Sequence, residues 1–141
     1  MMNLLTRTIV IGALMVFVAP ATFARTPAPS DAEVYIISPQ DGDTVTSPVT
    51  VKFGLRGMGV APAGVDTPNT GHHHLLIDTG PPALNAPIPA DDNHKHFGGG
   101  QTETVIELAP GKHTLQLIMG DKLHFPHEPP VMSRKITITV K

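Results

Sequence analysis

The chain has no cysteine among its 141 residues. No disulfide can staple it, no thiolate can ligate a metal, and no lipid can be attached through a cysteine. Stability must come from packing, helped by whatever the folded state binds. Tryptophan is also absent, and one tyrosine and five phenylalanines make up the aromatic content. So few rings do not build a stacking platform for sugars or bases. The net charge is −2 and no basic run occurs, which argues against nucleic acid or an anionic membrane surface as partner. No segment carries helical periodicity of useful length, and no internal repeat is visible.

The amino-terminal region has the pattern of a secretory leader. Arg7 is the only charge ahead of an apolar run, Ile9 to Val18, which is closed by Pro20. The run is too short to span a bilayer comfortably. Small residues follow at Ala19, Ala21 and Ala24, and Thr22-Phe23-Ala24 fits the small-x-small rule for cleavage. The expectation is a signal peptide over 1–24, cut after Ala24, with a cut after Ala21 as the alternative. The protein is then periplasmic, with no membrane insertion after cleavage. Residues 25–32, rich in proline, read as a flexible lead-in, and 33–141 as one domain.

Within that domain, β-branched and alternating segments are separated by Gly/Pro turns. Strands are expected over 33–37, 49–55, 72–78, 101–108, 113–119 and 133–140. Val49, Val51, Phe53 and Leu55 alternate with Thr50, Lys52 and Gly54, the period of a half-buried strand. The connections 79–100 and 120–130 are irregular, and long structureless connections are usually functional or disordered. The fold class is all-β, a single immunoglobulin-like or fibronectin-III-like β-sandwich of about seven strands. The opening SPQDGDTVTSPVTVKFGL is similar to the first two strands of bacterial immunoglobulin-like domains. The stretch Glu107 to Met119 is similar to their E–F corner, with His113 where many of them place a tyrosine.

Three blocks carry a closer resemblance: GHHHLLID (71–78), HFGGGQTE (96–103) and PGKHTLQLIMGDKLHFPHEPPVMSRKITITV (110–140). Together they resemble the family called domain of unknown function 4399, small exported bacterial proteins, over about Val34 to Val140. The resemblance implies export and a single domain, and no established activity. The chemistry has to be read from the residues.

All eight histidines fall between 72 and 127. On a strand, His72 and His74 share one face, and His73 shares the other with Leu75 and Ile77. In an immunoglobulin-like order, strand 72–78 neighbours strand 113–119, and the loop after Met119 lies at the end where strand 72–78 starts. His72, His74, His124 and His127 then converge. His96 joins them if its connection doubles back. The expected metal ligands are therefore His72, His74, His96, His124 and His127. Imidazole suits copper, zinc and nickel, and copper heads the divalent series, so copper comes first and zinc second. Asp121 or Glu128 can add an oxygen, and Met58, Met119 or Met132 a thioether for Cu(I). His73 and His113 read as structural, with His113 bonding backbone at a corner. Gly98-Gly99-Gly100 lacks the strand-to-helix setting of a phosphate loop and reads as a tight turn or close backbone approach.

The leading reading is a non-catalytic, exported metal-binding protein with copper or zinc as the metal ion it partners. A metal-free interaction module is the alternative, using loops 79–100 and 120–130 to bind an envelope protein partner. A small metalloenzyme is the third; superoxide-dismutase-like ligation is disfavoured by the missing disulfide and by the absence of an arginine beside the site.

Overall fold

Alternation decides which residues face inward. In a computed structural model, which describes residues 24–141, nine strands form among the described residues. They are β1 (Glu33–Ser38), β2 (Thr44–Val45), β3 (Val49–Arg56), β4 (Gly59–Val60), β5 (Thr70–Ile77), β6 (His94–His96), β7 (Glu103–Ile106), β8 (Gly111–Gly120) and β9 (Ile136–Val140). The described residues contain no helix. The fold is all-β, as the sequence predicts, in two sheets. The smaller has the order β1-β3-β7. The larger has the order β2-β9-β8-β5-β4, with β6 also paired to β5.

The core lies between the sheets. Val49, Val51 and Phe53 of β3 meet Leu75 and Ile77 of β5, Leu115, Leu117 and Met119 of β8, and Ile136, Ile138 and Val140 of β9. Burying an aliphatic side chain of this kind contributes about 1.5–3 kcal/mol, so this one layer carries the fold. β8 and β5 pair antiparallel from His72↔Gly120 to Ile77↔Leu115, the neighbour relation expected for strands 72–78 and 113–119.

The outer face of the large sheet is not open to water. Leu76, Ile118 and Ile88 form a second apolar cluster, with Met132 packed against it. All of β5 from Gly71 to Ile77 is buried, because the 79–93 and 121–135 connections lie over it.

Three short strands go beyond the sequence expectation: β2, β4 and β6. β6 is the return of the long connection, pairing His96 with His74 and His94 with Leu76. The last strand starts at Ile136 rather than Ser133, because Ser133 is used differently. Its hydroxyl accepts the Leu117 N–H at 2.9 Å and its own N–H donates to the Leu117 carbonyl. Residues 25–32, expected to be a flexible lead-in, have defined partners. Pro27 bridges Glu128, and Ala28 N–H donates to the Glu128 carbonyl. The expected signal peptide lies outside the described residues, apart from Ala24.

Candidate metal centre

Strand β5 fixes the first two imidazoles. His72 and His74 are two residues apart and project from the outer face, as alternation requires. Both are fully buried, and their Nε2 atoms stand 3.0 Å apart. Antiparallel pairing brings His96 of β6 directly beside His74. One nitrogen from each of His72, His74 and His96 lies within 4.8 Å of the other two. His124 closes the group from the opposite connection: its ring centroid is 5.0 Å from that of His72, 4.8 Å from His96 and 6.1 Å from His74.

Two glycines leave room for the rings. Gly120 pairs with His72 across β8, and a Cβ there would lie 2.8 Å from His74 Nε2 and 3.4 Å from His72 Nε2. A Cβ on Gly98 would overlap His96 Cε1 and lie 2.6 Å from its Nε2. Neither glycine has a positive φ; each is small because an imidazole occupies its side-chain space. Gly100, at φ 82°, is the member of the triplet that needs glycine for its backbone. Close approach and turn are thus divided between two of the three.

The loop that carries His124 is stapled by Asp121, itself buried. Its Oδ1 accepts the N–H groups of Leu123 and Phe125, both at 2.9 Å. Asp121 N–H donates to the Phe125 carbonyl, and His124 N–H to the Asp121 carbonyl. His124 sits at the tip in the left-handed region, φ 70°. Sequence reasoning missed this staple; an Asp bonding backbone a few residues ahead of it is the Asx-type turn that could have shown it.

Burial favours the neutral form of His72, His74 and His96. Burial pushes His72 down to about 4, with the nearby His124 and His96 rings adding to the shift. Burial pushes His74 to about 3, with His72 next among the causes. His96 is lowered as well, by burial and then by His124. Neutral imidazoles are the form that ligates a metal. Meanwhile Nδ1 of His72 and of His74 has no hydrogen-bond partner. Each neutral ring carries one N–H. If one ring donates Nε2–H to the other, the acceptor ring keeps its proton on a buried Nδ1 that nothing accepts. The two Nε2 atoms thus share at most one proton between them. A cation placed between them would take a lone pair from each ring, with both rings in the Nδ1–H form.

His127 does not join. It is fully buried, with Nε2 3.2 Å from the Thr70 carbonyl and Nδ1 3.5 Å from that of Met119. A Cβ on Gly71 would lie 2.8 Å from its ring, and Gly71 shares the face of β5 used by His73. The loop reverses between His124 and His127, so the two rings reach opposite faces of the sheet. The suggested oxygen ligands are engaged elsewhere: both Asp121 oxygens accept hydrogen bonds, and Glu128 pairs with Arg25. Of the sulfurs, Met119 is in the core and Met58 packs on it, while Met132 lies on the outer face. His94 bonds Asp91 at 2.8 Å. Both ring nitrogens of His113 face acceptors, Asp78 Oδ2 at 2.6 Å and the Ala109 carbonyl at 2.8 Å, the corner role expected of it. His73 stacks against Phe53 at 5.1 Å with neither ring nitrogen hydrogen-bonded.

A family model described as Domain of unknown function (DUF4399) matches residues 51–141, which include every histidine of the cluster. No curated protein and no solved structure matches the chain.

Proposed function

Because the chain belongs to the DUF4399 family, whose description names no activity, its role has to be read from its site, and we propose that it is a non-catalytic metal-binding protein exported to the periplasm. It takes one copper or zinc ion through His72, His74 and His96, with His124 as the fourth ligand. The observation that carries this reading is the convergence of three imidazole nitrogens within 4.8 Å in a space that two glycines keep open.

The donor set is all nitrogen, which favours borderline ions; copper heads the series and zinc follows. On a tetrahedral ion with bonds of about 2.0–2.1 Å, two nitrogens are about 3.3 Å apart. The 3.0 Å between His72 and His74 needs only a small ring movement to meet that. His96 is the exposed member, so the ion enters from its side. Export is supported by the leader-like pattern before Arg25, and suits a site without oxidisable thiols.

The test is elemental analysis of the chain from Arg25 to Lys141, purified without an added histidine tag and equilibrated with Cu(II) and Zn(II). About one equivalent of tightly held metal is expected for a four-imidazole site, lost in a His72→Ala/His74→Ala double variant and retained in His127→Ala. Absence of retained metal from the parent protein would reject the reading in favour of an interaction module built on loops 79–100 and 120–130.

A further inference from the structure

We infer that residues 25–28 are a strap that positions His124, so that the fourth ligand of the metal site is set by the amino-terminal segment. The inference rests on the metal-binding reading for its consequence, but its geometry stands on its own. Thr26 Oγ1 donates to Asp121 Oδ2 at 2.7 Å. Asp121 is the residue whose other oxygen holds the turn carrying His124. Glu128 N–H donates to the Thr26 carbonyl and Ala28 N–H to the Glu128 carbonyl, both at 2.9 Å. The segment therefore runs beside 126–128 like an added strand.

Arg25 ties this loop to the other one covering the site. Its guanidinium pairs with Glu128, donates to the His127 carbonyl at 3.0 Å, and reaches the Leu84 carbonyl at 3.4 Å. The loop of Leu84 in turn meets the tip directly, since Ile88 N–H donates to the His124 carbonyl at 2.8 Å. His72, His74 and His96 are placed by paired strands. His124 is placed by a loop, in a left-handed conformation that costs a non-glycine residue energy. Its position is the one that needs outside support, and Arg25, Thr26 and Asp121 supply it as positioning residues.

Thr26→Val removes the hydroxyl at nearly constant volume, and Thr26→Ser restores it. Two readouts are taken on the chain from Arg25 to Lys141. In the metal-free protein, NMR cross-peaks between the His124 ring and the rings of His72 and His96 report positioning. Titration with Zn(II) and Cu(II) reports ligation. Thr26→Val is expected to abolish the cross-peaks and to weaken metal binding about 10- to 100-fold, as the removal of supporting hydrogen bonds does. It should then resemble His124→Ala, and Thr26→Ser should resemble the parent. Arg25→Gln, which leaves the Asp121 turn intact, guards against a folding defect and should shift both readouts the same way by less. Cross-peaks and affinity unchanged in Thr26→Val, with affinity reduced in His124→Ala, would overturn the strap and leave the metal site standing. Cross-peaks abolished in Thr26→Val, in a parent that binds neither ion, would uphold the strap and reject the metal function.

Discussion

At the scale of single residues, the site depends as much on what is missing as on what is present. Gly98 and Gly120 both lack a side chain where an imidazole lies, but their neighbours differ. The atoms a Cβ on Gly98 would strike belong to the far end of His96, an exposed side chain. That ring can swing into solvent. A Cβ on Gly120 strikes His74, fully buried between β8 and the overlying connections, in a tightly packed place where overpacking typically costs about 1–3 kcal/mol. Gly98→Ala is therefore expected to leave thermal stability close to the parent while weakening zinc binding at least about tenfold, the range for a disturbed ligand. Gly120→Ala should lose both stability and metal. Thermal melting and zinc titration of the two variants check this; equal melting losses would mean that His96 is as firmly held as His74.

At the scale of elements, the sequence is most legible where a strand's own alternation decides the outcome. HHHLLID shows that His72 and His74 share a face opposite to His73, Leu75 and Ile77, and the structure has this arrangement. His113 at its corner is legible for the same reason, because the turn that precedes it is local. What is not legible lies in long-range covering. Nothing in 79–100 announces a three-residue strand that places His96 beside His74, and nothing in HFPH shows that His124 and His127 part company. Those depend on which carbonyls a folded loop can reach. The His113 corner makes a prediction of its own. Its bond to Asp78, followed by the one to the Ala109 carbonyl, raises its pKa. A raised folded value means that its contribution is fully present below the unfolded value of about 6.5 and fades as pH rises through the folded one. His113→Phe should therefore destabilise more at pH 5.5 than at pH 8.5, by a modest amount given its position near the surface. Denaturant midpoints at the two values test it, and an equal loss at both would remove the charge from the corner.

For the whole molecule, the opposing histidines set the response to acid. His72, His73 and His74 sit at about 4, about 4 and about 3 in the folded protein, burial being the first cause for each; for His73 the Gln101 backbone opposes the shift without reaching hydrogen-bond geometry. A lowered folded value means stability present above about 6.5 and lost as pH falls towards the folded value, because the unfolded chain takes up protons that the folded one refuses. Each such group can remove up to about 1.4 kcal/mol per pH unit across that window. His113 works in the opposite sense, but it is one group near the surface against three in the interior, so the net slope is a loss. Carboxylates titrate lower, near 4, which leaves the range from pH 6.5 to 5 to the histidines. Urea midpoints of the metal-free protein are expected to fall steadily over that range and to fall less in the His72→Ala/His74→Ala variant. Bound metal adds to the effect rather than cancelling it. It stabilises the fold at pH 7 by occupying neutral rings, and protons compete for the same nitrogens, so the gain from added zinc should shrink as pH drops. A midpoint independent of pH between 6.5 and 5, with or without zinc, would mean that the three rings are not held neutral in the interior and that the cluster is not prepared for an ion.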